Sequence, residues 1–261
     1  MASRRMTAMV GDAAVDAEAP IAVPPEVRLA LTRWFLVTVD GGEVDIPPAG
    51  QRLVAFLALR GQPMERAHVA GSLWPETREK RAQASLRSAL WRVRLVCPLL
   101  IHATRDRVAL GGAVTVDINE VTNLARRVVD EDAWMSEEQL DERCLLGDLL
   151  PGWYDEFVEF ERERLRQLRL HGLEAMVRRL AGMGSISRAL DIAIAVIAAE
   201  PLRESAHRLV IELHLREGNV EEAARHHGIA QRVLSQPLDQ PWETALLPGR
   251  PGGGVPASLQ A

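Results

Sequence analysis

Basic side chains that could bind an anion are concentrated in one short segment of this chain. Residues 78–97, REKRAQASLRSALWRVRLVC, contain six basic side chains, a single carboxylate and one tryptophan. Guanidinium groups donate hydrogen bonds to phosphate oxygens and, in pairs, to the O6 and N7 acceptors of guanine. The chemistry indicated is recognition of nucleic acid, provided that one structural element presents these groups together.

A single helix can do so. The apolar periodicity predicts a helix over roughly residues 80–96, which Pro98 ends. At about 100° per residue, one face of this helix is apolar and forms part of a core. That apolar face contains Leu86, Leu90, Val93 and Cys97, with Ala82 and Ala89 beside them. The opposite face carries Lys80, Arg81, Ala84, Arg87, Ser88, Trp91 and Arg92, with Arg94 on its shoulder.

An ordinary solvated helix face is the alternative interpretation. Solvated helices usually interleave carboxylates with their basic residues for i,i+4 pairing, and this face has almost none. Trp91 also lies on the polar side, where a core tryptophan would not be placed, and the small Ala84 and Ser88 leave room for a groove wall. The pattern favours a helix that enters the major groove of double-stranded DNA.

The charge distribution supports the same interpretation. The whole chain has a net charge of −5, and its basic residues are thirty arginines and one lysine. Residues 51–110 contain 11 basic and 4 acidic groups, for a net charge of +7. The flanking regions have net charges of −3 and −9. A basic region between acidic ones is typical of a module that faces nucleic acid.

The elements around this helix predict a winged helix-turn-helix of the OmpR/PhoB type. Strands are expected from Val27, around a turn at Asp40-Gly41-Gly42, and Gly61 is expected to end a first helix. A shorter second helix precedes the basic one. A hairpin with its turn near Thr104–Asp106 follows it as the wing.

The wing and the first helix add further candidate DNA contacts. Thr104, Arg105 and Arg107 lie at the expected tip of the hairpin, where an arginine suits a narrow minor groove or its phosphates. Arg52, at the start of the first helix, is a weaker candidate for a phosphate contact. A plain surface arginine is an equally good interpretation of Arg52.

The C-terminal half is predicted to be all α-helical and tetratricopeptide-like. Gly184-Ser185-Ile186-Ser187-Arg188-Ala189 and Gly218-Asn219-Val220-Glu221-Glu222-Ala223 lie 34 residues apart, each a turn followed by a small alanine. That period is the tetratricopeptide signature, with an ordinary helical bundle as the alternative. We expect a mainly α protein with a disordered tail (1–27), a winged-helix domain (28–113), a helical domain (114–236) and a second disordered tail (237–261).

Catalytic and metal-binding motifs are not found in the sequence. Cys97 and Cys144 have no metal-ligand spacing and are expected to be small buried residues. His226 and His227 are adjacent on a predicted helix and are expected to be surface histidines. We expect a protein that is not an enzyme and has no cofactor or metal. No signal peptide or membrane-spanning segment is evident, so the expected location is the cytoplasm.

The segment GQRLVAFLALRGQPMERAHVAGSLWPETREKRAQASLRSALWRVR resembles the DNA-binding half of the SARP family, the Streptomyces antibiotic regulatory proteins. LLPGWYDEFVEFERERLRQLRLHGLEAM and AAEPLRESAHRLVIELHLREGN look like the bacterial transcriptional activator domain (BTAD) that follows it in that family. The resemblance covers about residues 28–235. It implies a transcriptional activator whose recognition helix presents Arg87, Ser88, Trp91, Arg92 and Arg94 to the DNA.

The same resemblance implies the partners. Two protomers would bind direct repeats near a promoter as a homodimer on DNA, and the loop before the recognition helix would contact RNA polymerase. A different class of function remains open. The tetratricopeptide-like half could be chiefly a protein-interaction module, with DNA binding that is weak or that depends on a partner.

Overall fold

The computed structural model describes residues 25–130 and 132–235. The tails expected to be disordered lie outside these residues, except for residues 25–27, and the first strand begins at Val27. The strands are β1 (Val27–Ala30), β2 (Leu36–Val39), β3 (Gly42–Val44), β4 (Met64–Glu65), β5 (Ile101–Ala103), β6 (Arg107–Leu110) and β7 (Val114–Val116). The helices are α1 (Pro48–Arg60), α2 (Arg66–Leu73), α3 (Glu79–Val96), α4 (Asp117–Val129), α5 (Glu156–Met183), α6 (Ile186–Ala199), α7 (Glu204–Arg216) and α8 (Val220–Leu234).

A four-stranded sheet begins the fold, in the order β3-β2-β1-β7. The predicted turn between β2 and β3 is confirmed, because Asp40 and Gly41 have φ values of 49° and 81°. Strand β7 was not predicted. It pairs in parallel with β1, with Leu29 opposite Val116, so the chain returns to its first strand after the three helices.

The three helices and the hairpin form the expected winged helix-turn-helix. Helix α1 buries Leu53, Val54, Phe56 and Leu57, and Gly61 ends it in the left-handed conformation at φ 64°. Helix α2 packs on α3, as in a helix-turn-helix. The hairpin β5–β6 is anchored by the buried side chains of Ile101 and Val108. The two-residue strand β4, also not predicted, pairs with β6 and completes a three-stranded sheet.

The helical domain consists of α4 packed on α5, followed by helices that each pack on the preceding one. The two predicted turns are the connections α5–α6 and α7–α8, where Gly184 and Gly218 have φ values of 89° and 78°. Ala189 and Ala223, five residues after these glycines, are both buried. Two helical hairpins with equivalent turns confirm the tetratricopeptide-like prediction.

An irregular connection between α4 and α5 is held by arginines. It contains two short 3-10 helices, Glu137–Gln139 and Glu142–Leu145, and several of its remaining carbonyl groups accept hydrogen bonds from side chains. Arg162 of α5 donates to the carbonyl oxygens of Leu149, Leu150 and Trp153, at 2.8, 2.7 and 2.8 Å. Arg169 and Arg179 of α5 and Arg188 of α6 donate to other carbonyls of the connection and of the C-terminal end of α4.

Candidate nucleic-acid interface

Helix α3 has the two faces that its sequence predicts. Ala82, Leu86, Ala89, Leu90, Val93 and Cys97 are all buried against the core. Helix α2 and α1 both pack on this side of α3, which leaves the other side in solvent. The exposed residues there include Arg81, Arg87, Ser88, Trp91 and Arg92, which we call the basic face. Trp91 is 64% exposed, so most of its surface faces solvent rather than the core.

The hairpin β5–β6, the wing, presents a short closed tip beside the basic face. The Thr104 amide donates to the carbonyl of Arg107 at 2.9 Å, and the Arg107 amide donates to Oγ1 of Thr104 at 3.1 Å. These bonds close the turn and leave the side chains of Thr104, Arg105 and Arg107 exposed, as the sequence predicted.

An open cavity of about 930 Å³ lies between the basic face and the wing. Its lining includes Arg87 from α3, Arg105 and Arg107 from the wing, and Arg66 from the first turn of α2. Glu65 and Asp106 are the acidic residues of the lining. The cavity therefore brings together arginines from three elements that are far apart in the sequence, with an excess of positive charge.

Two arginines have contacts that the sequence did not reveal. Arg66, which was not among the predicted residues, donates from Nη1 to the carbonyl of Thr104 at 3.2 Å. Arg94, predicted to face DNA, is exposed but donates from Nη2 to the carbonyl of Ala103 at 3.1 Å. A hydrogen bond to a carbonyl across the tertiary fold has no local sequence pattern, so no signal in the sequence could have found either contact.

Arg52 does not join this group. It donates from Nε and Nη2 to Oδ1 of Asp155, at 2.9 and 2.5 Å, across the junction between the two domains. A guanidinium committed to a partly buried carboxylate is not a free phosphate ligand. This ion pair favours a role for Arg52 at the domain junction, and its contact with phosphate stays a prediction.

The basic face and the wing differ from the rest of the protein in how their charges are satisfied. Among the described residues, no ion pair involves a basic side chain from Arg60 to Arg107. In the helical domain, by contrast, Arg166, Arg188, Arg203, Arg208 and Arg216 are all paired with glutamates. The unpaired positive charge of the winged-helix domain is thus available to an external anion.

The histidines and cysteines do not form a second site. In the part of the chain that the structure describes, no group of three histidine, cysteine or acidic side chains could hold a metal ion. Cys97 is buried as expected, whereas Cys144 is half-buried and burial, with nearby Asp141, raises the pKa of its thiol. The surface prediction fits His227 but is wrong for His226, whose Nε2 lies 3.2 Å from Nδ1 of the buried His207.

Comparison with known proteins identifies the second domain. Residues 121–247 match the family model of the bacterial transcriptional activator domain. The chain is also similar to Regulatory protein AfsR of Streptomyces coelicolor, with 27% identity over 203 residues, which is 73% of this chain and 20% of AfsR. The match to this domain model and the similarity to AfsR together support a SARP-family transcriptional regulator. The chain spans about one fifth of the length of AfsR.

The fold of the chain is similar to that of a solved structure, Mycobacterium tuberculosis EmbR in complex with a low-affinity phosphopeptide. The TM-score is 0.61 at 18% identity, and the match covers 82% of this chain and 67% of EmbR. At that identity the likeness supports the architecture, a winged helix followed by a helical domain. None of the helices in residues 25–130 and 132–235 is long and apolar enough to cross a membrane.

Proposed function

We propose that this protein is a sequence-specific DNA-binding activator of transcription. The observation that carries the proposal is the basic face of α3, exposed beside the wing and unpaired by carboxylates. Helix α3 would enter the major groove, where a helix fits and base edges present their full pattern of donors and acceptors. The helical domain would contact RNA polymerase or a second protomer.

The residues divide into two roles on this proposal. Arg87 and Arg92 are the candidates for bidentate bonds to guanine, Ser88 for a base or phosphate, and Trp91 for packing against sugar or a thymine methyl group. Arg81 at the start of α3, with Arg105 and Arg107 on the wing, would bind phosphates and fix the register without reading sequence. The cavity between the basic face and the wing would hold the DNA backbone between these two sets.

Activation and assembly are proposed from the family. SARP resemblance implies two protomers on direct repeats of a promoter, and polymerase contact through the loop Trp74–Arg78 that joins α2 to α3. This loop follows α2 and precedes the first turn of α3, so it lies at one end of the basic face. A protein bound through α3 would therefore keep this loop beside the DNA.

Binding of DNA by the full chain tests the proposal. The wild type is first used to enrich duplexes from a random-sequence pool, and affinity for an enriched duplex is compared with that for a scrambled one at two salt concentrations. Arg87→Ala/Arg92→Ala should reduce discrimination by about 1–3 kcal/mol for each base-reading arginine that is replaced. The control Arg208→Ala/Arg216→Ala removes the same charge from exposed ion pairs of α7 and should retain the preference.

The result also decides against the alternative. If the wild type enriches no duplex, and Arg87→Ala/Arg92→Ala binds DNA as weakly as the wild type, the basic face does not recognise DNA sequence. The helical domain would then be the functional part, acting as a protein-interaction module, and its partner would be sought with the same variants.

A further inference from the structure

We infer that Arg66 and Arg94 are positioning residues that set the distance between the wing and the recognition helix α3. The inference rests on the proposed function, because the role given to Arg66 and Arg94 is to position the wing arginines for contact with DNA. It changes the role of Arg94, which the sequence assigned to direct DNA contact. It adds Arg66, which no sequence pattern indicated.

The geometry that carries the inference is a set of three carbonyl groups at the wing tip, each held by a different donor. Nη2 of Arg94, from α3 itself, binds the carbonyl of Ala103 at 3.1 Å. Nη1 of Arg66, from α2, binds the carbonyl of Thr104 at 3.2 Å. The backbone amide of Arg66 binds the carbonyl of Asp106 at 2.9 Å.

These contacts add to two other constraints on the tip, the turn bonds between Thr104 and Arg107 and the backbone pairing of Glu65 with Arg107. The base of the wing is held by the buried Ile101 and Val108, but residues 104–107 are all exposed. A hairpin tip with no buried side chain can bend about its base. Two guanidinium groups, one from α2 and one from α3, oppose that bending. Arginine suits this task because its guanidinium group is rigid and planar, so it fixes the direction of its hydrogen bonds and also supplies a positive charge.

Positioning and direct contact give different results in a thermodynamic cycle. A residue that acts through the wing should cost nothing further once the wing side chains are removed, whereas a residue that touches DNA itself should weaken binding independently. The variants are Arg66→Ala/Arg94→Ala, Arg105→Ala/Arg107→Ala, and all four substitutions together, each in the full chain. The probe is a duplex enriched by the wild type from a random-sequence pool.

We expect Arg66→Ala/Arg94→Ala and Arg105→Ala/Arg107→Ala each to weaken binding several-fold, and the quadruple variant to bind no more weakly than the wing variant. Phosphate-ethylation interference should disappear at the same phosphates in both double variants. The slope of log affinity against log salt should become shallower by about 0.9 for each phosphate that the protein no longer neutralises. Additive effects, with interference disappearing at phosphates that the wing variant still binds, would overturn the inference.

Hydrogen exchange in the free protein provides a readout that does not depend on DNA. Exchange of the amides from Ala103 to Arg107 should accelerate in Arg66→Ala/Arg94→Ala and return toward the wild-type rate in Arg66→Lys/Arg94→Lys, which keeps a donor at each position. Unchanged exchange would overturn the inference even if DNA affinity falls. A wild type that prefers no duplex would instead overturn the proposed function, while the exchange rates would still separate a held tip from a free one.

Discussion

Arg52 and Asp155 join the two domains through two hydrogen bonds to one carboxylate oxygen, from α1 of the winged-helix domain to the residue that precedes α5. Aromatic pairs lie on the same junction. The rings of Phe56 and Phe157 meet edge to face, with centroids 5.1 Å apart. The winged-helix domain and the helical domain are thus held by side-chain contacts as well as by the chain that connects them.

We expect Arg52→Ala to lower the free energy of unfolding without changing how DNA binding depends on salt. The Arg52 side chain is 37% exposed, so screening by solvent limits the contribution of the ion pair to the free energy of unfolding to about 1 kcal/mol. Urea unfolding of Arg52→Ala, Asp155→Ala and the double variant measures the coupling. If the slope of log DNA affinity against log salt is unchanged in Arg52→Ala, Arg52 acts at the junction. A shallower slope would show that Arg52 binds a DNA phosphate.

Substitution of Arg162 by lysine should destabilise the helical domain although it preserves the charge. The guanidinium of Arg162 binds three carbonyl groups at once, and an ammonium on a flexible stem cannot reach all three in that geometry. We expect a decrease in stability of about 2 kcal/mol in thermal or urea unfolding. Arg208→Lys, at an exposed i,i+4 pair with Glu204, is the matched control and should change stability by less than about 0.5 kcal/mol.

Two glycines of α5 should respond in opposite directions to a larger side chain. A Cβ at Gly172 would lie 3.1 Å from Cβ of Ala125 and 3.2 Å from its Cα, where α4 crosses α5. Gly172→Val should therefore cost about 2–3 kcal/mol by forcing the two helices apart. Nothing lies within 4 Å of a Cβ at Gly182, so Gly182→Ala should stabilise the helix by about 0.5 kcal/mol. Equal effects at both positions in calorimetry would refute the close approach of α4 and α5.

Acidification should destabilise the last two helices through His226. Burial lowers the pKa of His226, and the neighbouring His207, His214 and Arg225 lower it further. The unfolded chain then binds a proton more readily than the folded one, so stability is complete above the unfolded pKa of about 6.5 and is lost as the pH falls toward the folded pKa.

The measurement is thermal unfolding of the wild type and His226→Gln between about pH 7.5 and pH 5.5. Glutamine retains a hydrogen-bond donor for Nδ1 of His207 but does not titrate. The wild type should lose more stability than the variant over this range. Equal changes in both proteins would show that the pH dependence arises from other groups.

Local patterns predicted much of this fold. The basic helix begins one residue before the predicted start and ends where Pro98 requires, and the glycines at 61, 184 and 218 adopt the left-handed conformation that each turn needs. The buried and exposed sides of α3 follow from its periodicity alone. In each of these cases the signal lies within a few residues of the feature that it predicts.

What the sequence did not reveal depends on pairs of residues that are distant along the chain. Arg52 donates a hydrogen bond to Asp155, which lies 103 residues further along the chain. Arg66 donates one to the carbonyl of Thr104, which lies 38 residues further along. His226 was expected at the surface, yet it is half-buried and α7 supplies a buried partner, His207. An arginine that holds a carbonyl and an arginine that binds a phosphate have the same local sequence, and only the tertiary fold distinguishes them.

The parallel pairing of β1 with β7 has a consequence for the order in which the protein can form. Strand β1 is an inner strand of its sheet, and its second neighbour is Val114–Val116, which leaves the ribosome only after all three helices and the wing. Asp117, the first residue of α4, then accepts hydrogen bonds from the amides of Leu31 and Thr32. Until these residues emerge, the nascent winged-helix domain has an open sheet edge, since non-local pairing must wait for its partner. A fragment that ends at residue 113 would retain that open edge permanently.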